Sequence, residues 1–147
     1  MCAPRNVESS RETRTKQRME VAMPTVDLTA EDFEKTVTSP GITLVDFWAT
    51  WCGPCQQFGP IYDKASDANT DVTFAKVDTD AQQALAGAMG ITSIPTLMAF
   101  RDGVRVFSQP GALPAPALDE VITAVRGLDM EDIHRQLAEQ EAAQSDK

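Results

Sequence analysis

The chain has 147 residues, of which 42% are hydrophobic and 24% are charged, and this is ordinary for a single globular domain. Its net charge is −9, and residues 25–127 carry thirteen acidic side chains against six basic ones. This balance argues against nucleic acid and anionic membranes as partners, because phosphate binding needs a basic face. No apolar run approaches the roughly 18 residues of a membrane helix, so we expect no membrane span.

Residues 1–24 have no hydrophobic periodicity, lack the apolar core of a secretory signal and are predicted to form a disordered arm. The remaining predicted elements are a short strand at 25–27, a helix capped by the side chain of Thr29 and ended by Pro40-Gly41, a strand at 42–49, a helix at 54–68, a strand at 72–78, a helix at 81–89, strands at 96–100 and 104–108, and helices at 113–128 and from 129 to about 143. A strand–helix–strand unit followed by a hairpin predicts an α/β fold, with a central mixed sheet of about five strands and helices on both faces. We therefore expect an arm at 1–24, a domain at 25–127 and an extra helix or tail at 128–147.

The motif Trp51-Cys52-Gly53-Pro54-Cys55 directly follows the apolar strand and opens the next helix. Unpaired amides and the helix dipole favour an anion at a helix N-terminus, so the pKa of the first thiol should be depressed. Because the thiolate is the nucleophile in disulfide exchange, Cys52 is predicted to be the exposed, attacking residue. Cys55, one turn further along and less exposed, is predicted to resolve the mixed disulfide. Gly53 permits close approach of the backbone, and Pro54 lacks the amide that would go unpaired in the first turn.

A Cys-x-x-Cys pair is also half of many zinc sites. The sequence has one further cysteine, Cys2, and one histidine, His134, which lies in the predicted tail. Zinc bound within one chain, an iron–sulfur cluster bridging two chains and a purely structural disulfide are the weaker alternatives; the last would stabilise little, because the closed loop is short. Cys2 is expected to be a free thiol in a reducing compartment, with a regulatory disulfide as the alternative.

The string from Asp46 to Cys55 resembles the active-site sequence of the thioredoxin family. The resemblance continues over roughly residues 25–127, at Pro60, Lys76-Val77-Asp78, Ile91–Thr96, Phe100–Gly103 and Gly111-Ala112. It implies a thioredoxin-like fold of the bacterial type, with extensions at both ends. It also implies a cis bond before Pro95, whose ring would lie against the sulfurs, and a backbone at Ile94 that pairs with an extended substrate segment. The substrate-binding residues that it implies are Trp51, Gly53, Pro54, Ile94, Pro95 and Gly111.

Asp46 is an anomaly, because a charged carboxylate is costly to bury in an apolar strand. Desolvation should raise its pKa. The resemblance implies that Asp46 relays protons to and from Cys55, and that Lys76 lies near it and offsets its charge. The alternative is that Asp46 and Lys76 merely satisfy each other.

The resemblance implies a thiol–disulfide oxidoreductase that reduces protein disulfides. Its only redox centre would be the Cys52–Cys55 disulfide, with no metal and no bound cofactor, and its electrons would come from NADPH through a flavin-dependent thioredoxin reductase. We expect a cytoplasmic monomer whose partners are that reductase and disulfide-containing proteins. Gln56 and Gln57 follow Cys55, where many family members carry a basic residue, and this departure motivates a specialised oxidoreductase with its own donor or substrate as an alternative. A non-catalytic binding or chaperone module on the same fold is the third possibility.

Overall fold

The structure, a computed structural model, describes residues 25–145. Its elements in chain order are β1 (Thr25–Asp27), α1 (Ala30–Val37), β2 (Ile42–Trp48), α2 (Gly53–Ala68), β3 (Thr73–Asp78), α3 (Gln83–Ala88), β4 (Thr96–Arg101), β5 (Val104–Pro110), α4 (Ala115–Arg126) and α5 (Met130–Ser145). Every predicted helix and strand after residue 24 is present, with ends that differ by a few residues. The arm predicted at 1–24, including Cys2, lies outside the described residues.

The five strands form one mixed sheet in the order β1-β3-β2-β4-β5. Strand β2 pairs in parallel with β3 and antiparallel with β4, so it lies at the centre of the sheet. The residues from Thr43 to Phe47 are at most 2% exposed, because a central strand is covered on both of its faces. The predicted fold class, a mixed five-stranded sheet with helices on both faces, is confirmed.

The two faces of the sheet are covered by different helices. On one face, Leu44 packs with Phe58, Tyr62 and Leu118 of helices α2 and α4. On the other face, Val45 and its neighbours pack with Phe33 of α1. Because side chains alternate along a strand, Asp46 shares a face with Leu44 and lies on the side covered by α2. Three phenylalanine side chains of the strands are buried, with Phe47 and Phe74 at 0% and Phe100 at 6% exposed.

The N-terminus of α1 differs from the prediction in one respect. Thr29 is the N-cap residue, but its side chain accepts no hydrogen bond from the helix backbone. Its hydroxyl donates to Oδ2 of Asp32 at 3.1 Å, a side chain in the first turn of the helix. The amide of Ala30 is satisfied from a distant segment, since it donates to Oε1 of Gln82 at 2.9 Å. The predicted side-chain cap is therefore wrong, although the helix begins where expected.

The C-terminal part of the described chain is attached through Arg101, at the end of β4. Its Nη1 donates to the carbonyl oxygens of Val125, Arg126 and Leu128 at 2.7–2.9 Å. The last carbonyls of a helix lack regular partners along the helix itself, so the guanidinium closes the end of α4. Beyond it, no residue of α5 from 130 to 144 is buried. None of the helices within residues 25–145 is long and apolar enough to cross a membrane.

Candidate active site

The two cysteines lie at the junction between the central strand and helix α2. Cys52 is the N-cap residue of α2 and has an extended backbone, with φ −85° and ψ 115°. Cys52 and Cys55 form a disulfide, and the amide of Cys55 donates to Sγ of Cys52 at 3.2 Å. The sulfur of Cys52 therefore occupies the capping position, where serine or aspartate oxygens commonly accept a hydrogen bond from a free amide.

The predicted difference in exposure between the cysteines is wrong for this disulfide state. Cys52 is 4% exposed and Cys55 is 5% exposed, so both are buried. Cys52 is covered because it packs with Ala49, Trp48 and Ile94 at the end of the sheet. The asymmetry between the two residues lies in hydrogen bonding, since it is Cys52 whose sulfur accepts the helix amide.

The loop before β4 faces the disulfide. The Ile94–Pro95 peptide bond is cis, as the resemblance implied. The carbonyl oxygen of Ile94 lies 3.7 Å from Sγ of Cys52. Within the described part of the chain, the Ile94 amide has no backbone acceptor, so this residue has an unused donor beside the sulfurs. The amide of Gly111 donates to the carbonyl oxygen of Pro95 at 2.7 Å, and its φ of +99° favours glycine there.

The two tryptophans beside the disulfide have different surroundings. Trp51 is 69% exposed, and its Nε1 donates to Oδ2 of Asp80 at 2.8 Å. Trp48 is half-buried, and its Nε1 has no hydrogen-bond partner among the described residues. The contribution of Asp80 was missed from the sequence. A signal existed, because Asp80 follows β3 at the edge where the parallel strand β2 also ends.

Asp46 is buried on β2, with 1% of its surface exposed. Neither of its carboxylate oxygens has a hydrogen-bond partner among residues 25–145. Burial raises its pKa from the ordinary value of 3.8 to about 7; the charge of Lys76 opposes this shift and that of Asp63 adds to it. A carboxyl group with this pKa exchanges its proton near neutral pH.

Lys76 lies directly across from Asp46 in the pairing of β2 with β3. Its Nζ lies 4.9 Å from the centroid of the Trp48 ring, in a cation–π arrangement. It makes no ion pair with Asp46, whose oxygens are unpartnered in the described chain. The two side chains therefore interact through their charges, since Lys76 lowers the pKa of Asp46, and not through a direct hydrogen bond.

The other predicted site residues differ in their exposure. Gly53 and Pro54 are exposed in the first turn of α2, Gly111 is exposed after β5, and Pro95 is buried. Gln56 does not reach across the sulfurs, because its Nε2 donates to the carbonyl oxygen of Thr50 at 3.0 Å. Within residues 25–145, no group of three His, Cys, Asp or Glu side chains is placed to hold a metal ion.

A cysteine pair that cycles between dithiol and disulfide at a helix N-terminus performs thiol–disulfide exchange, and this geometry defines the chain as a thiol–disulfide oxidoreductase. Comparison with known proteins identifies the family within this class of oxidoreductases. The family model described as thioredoxin matches residues 24–124. The chain is 58% identical over 118 residues to a protein of Streptomyces coelicolor named putative thioredoxin 2, covering 80% of this chain and 88% of that one.

A second relative and a solved structure are also thioredoxins. Thioredoxin 1 of Synechococcus elongatus is 44% identical over 102 residues, which cover 68% of this chain and 92% of that protein. The solved structure of a thioredoxin mutant from Halobacterium salinarum superimposes with a TM-score of 0.66 at 33% identity, covering 71% of this chain and 93% of that one. The chain belongs to the thioredoxin family. Its activity is that of a protein-disulfide reductase acting through the Cys52–Cys55 pair.

Proposed function

We propose that Cys52 attacks substrate disulfides and Cys55 resolves the mixed disulfide, in a domain formed by residues 25–127. The observation that carries this order is the hydrogen bond from the Cys55 amide to Sγ of Cys52. An amide donor at a helix N-terminus stabilises a thiolate more than a thiol, so it lowers the pKa of Cys52 in the reduced protein. Among the described residues, the sulfur of Cys55 accepts no equivalent bond, since Cys55 lies inside the first turn.

The exchange proceeds in two balanced steps. The Cys52 thiolate attacks one sulfur of the substrate disulfide, which forms a Cys52–substrate disulfide and releases the other substrate sulfur as a thiolate. Cys55 then loses its proton and attacks Sγ of Cys52, which forms the Cys52–Cys55 disulfide and releases the second substrate sulfur. Two electrons pass from the protein to the substrate, and the substrate sulfurs take up two protons.

Asp46 is proposed to accept the proton of Cys55 in the second step. It lies on the face of the sheet covered by α2, the helix that carries Cys55. Burial raises the pKa of Tyr62 on that helix, and the negative charge of Asp46 adds to this shift, which supports the closeness of Asp46 to α2. A base with a pKa of about 7 is well matched to proton transfer at neutral pH, and Lys76 keeps this pKa from rising further.

The substrate segment is proposed to bind as an added strand along Ile94. The Ile94 amide lacks a backbone acceptor in the described chain, and its carbonyl oxygen lies next to Sγ of Cys52. Backbone groups of this kind recognise an extended peptide without regard to its sequence. The exposed surfaces of Trp51, Gly53, Pro54 and Gly111, together with the ring of Pro95, would form the surrounding contact area.

The protein is proposed to work as a cytoplasmic monomer that is kept reduced by a thioredoxin reductase with NADPH. The sequence identity of the chain to proteins named thioredoxin supports this electron source. The test is NADPH oxidation with a purified thioredoxin reductase and an oxidised protein substrate. Absence of electron transfer, with dithiothreitol still supporting turnover, would instead favour the specialised donor suggested by Gln56.

The order of the cysteines is tested by comparing Cys52→Ser with Cys55→Ser in an insulin-reduction assay. Both variants should lose turnover. Only Cys55→Ser should accumulate a covalent complex with insulin, because its Cys52 can attack and nothing resolves the product; mass spectrometry would detect it. Trapping by Cys52→Ser instead would reverse the proposed order, and full activity of Cys52→Ser would exclude the whole mechanism.

The role of Asp46 is tested with Asp46→Asn, which keeps the shape of the side chain and removes the base. At pH 7 the resolving step should slow by about tenfold or more, with the attack by Cys52 less affected. Rapid-quench measurement of the mixed disulfide separates the two steps. Asp132→Asn, on α5, is the control and should leave both rates unchanged. Equal slowing of both steps would show that Asp46 has a structural role and does not transfer the proton.

A further inference from the structure

A polar pocket adjoins the loop that faces the disulfide. It has a volume of about 250 Å³ and lies between the end of α3 and the strands β4 and β5. Thr92 and Ser93 form one wall, and both precede Ile94 directly in the chain. Since consecutive Cα atoms are about 3.8 Å apart, the pocket begins within one or two residues of the backbone that faces Cys52.

The charge in this pocket comes from Arg105 on β5. Arg105 is exposed, and its side chain makes no hydrogen bond or ion pair with any residue from 25 to 145. No acidic side chain of the described residues lines the pocket. The pocket therefore has a positive charge that no carboxylate of the described residues neutralises.

Arg105 shares the pocket with Ser108 because β5 is irregular. The two residues are three positions apart, so in a regular strand their side chains would point to opposite faces. The pairing register shifts between Ala99 and Phe100, so that Arg105 pairs with Phe100 and Ser108 pairs with Met98. Phe100 and Met98 lie two residues apart on one face of β4, and their partners on β5 therefore share a face as well.

Further residues that line the pocket carry hydroxyl groups. Thr92 and Ser93 contribute from the loop, and Ser108 contributes from β5. None of these three hydroxyl groups makes a hydrogen bond within the described chain, whereas the Thr96 hydroxyl donates to the Ser93 carbonyl oxygen at 2.6 Å. A guanidinium with neighbouring hydroxyl donors suits a carboxylate.

We infer that this pocket binds an acidic side chain, Asp or Glu, of the substrate protein, near the cysteine that is being reduced. The inference rests on the proposed strand addition at Ile94. Residues of an extended segment advance by about 3.3 Å each, so a side chain within three residues of the substrate cysteine would reach the pocket. Arg105 is then a specificity-determining residue that contacts substrate and takes no part in the sulfur chemistry.

The test uses short peptides with one central cysteine held in a disulfide with 2-nitro-5-thiobenzoate, whose release is read by absorbance. Each peptide exists as a matched pair, with Glu or Gln at one position within three residues of the cysteine. At one such position or more, the reduced protein should react about threefold faster with the Glu peptide, as expected for a partly exposed ion pair. At 1 M salt, where the screening length is about 3 Å, this preference should shrink.

The matched variants are Arg105→Gln and Lys35→Gln, which remove the same charge from the pocket and from the exposed surface of α1. Arg105→Gln should bring the ratio of Glu to Gln rates close to one, Lys35→Gln should keep the wild-type ratio, and Arg105→Lys should keep part of it. A ratio unchanged by Arg105→Gln, or changed equally by Lys35→Gln, would overturn the inference. Reaction with the Gln peptides tests the proposed function separately, because Cys52→Ser should abolish it whatever Arg105 does.

Discussion

The β2–α2 junction and helix α5 place the same type of side chain in opposite surroundings. At the junction, Asp46 is 1% exposed and has no hydrogen-bond partner in the described chain. On α5, Asp132 forms an ion pair with Arg135, one turn away and in contact with solvent. The central strand thus creates a carboxyl group with a pKa of about 7, whereas the peripheral helix carries a solvated charge. The position of a carboxylate in the fold, and not the acidity of the chain, decides whether it can perform chemistry.

The largest expected effect is a change in the free energy of unfolding of the Asp46→Asn variant, which removes the buried carboxyl group. The folded-state pKa of about 7 lies above the ordinary value of 3.8, so the folded protein binds this proton more tightly than the unfolded chain does. This tighter proton binding stabilises the folded protein. The stabilisation is fully present below about pH 4 and is lost as the pH rises through 7. At pH 8 the variant should therefore be more stable than the wild type by up to about 4 kcal/mol, and near pH 4 the two should be similar.

Urea unfolding of the oxidised proteins at pH 4 and pH 8 measures this difference. Asp132→Asn is the matched control, and its free energy of unfolding should change by no more than about 0.5 kcal/mol at either pH. A stabilisation by Asp46→Asn that is the same at both pH values would show that packing, and not ionisation, explains the effect.

A smaller effect is expected at the attachment of the C-terminal part. Arg101→Met removes the three hydrogen bonds to the end of α4 and should lower the free energy of unfolding by about 2 kcal/mol. Thermal unfolding followed by circular dichroism measures it. Arg105→Met, which removes an arginine without partners in the described chain, is the control and should stay within about 0.5 kcal/mol of the wild type. Equal destabilisation by both variants would contradict a specific role for Arg101.

The smallest effect should come from removing α5. A chain that ends at Asp129 keeps the Leu128 carbonyl that Arg101 binds and loses a helix without a buried residue between 130 and 144. Its free energy of unfolding should fall by less than about 1 kcal/mol, and its rate of insulin reduction should match that of the full chain. Loss of activity on truncation would show that α5 is part of the domain that carries the reductase activity.

The sequence predicted the features that depend on local patterns. The apolar run from Ile42 indicated a central strand, and the Cys-x-x-Cys motif after it indicated a helix N-terminus with redox chemistry. The hairpin between the strands predicted at 96–100 and 104–108 was also indicated. Its residues Asp102 and Gly103 both have positive φ, 51° and 83°, as a tight hairpin requires. These signals are short in range, so a single sequence carries them.

Contacts between distant segments of the chain could not be predicted from the sequence. The burial of Cys52 depends on Ile94, 42 positions away, and the hydrogen bond from Ala30 goes to Gln82. The three carbonyl partners of Arg101 come from the far end of α4 and the residues just after it. Because such contacts follow from the packing of whole elements, periodicity and capping rules do not specify them.

The positions of the two tryptophans also have a spectroscopic consequence. The sequence contains two tryptophans, and both lie within four residues of Cys52. Trp51 is 69% exposed and bonded to Asp80, whereas Trp48 is half-buried beneath the ammonium group of Lys76. Indole emission from the whole protein therefore originates at the redox centre, so opening of the disulfide can be followed by intrinsic fluorescence without an added label.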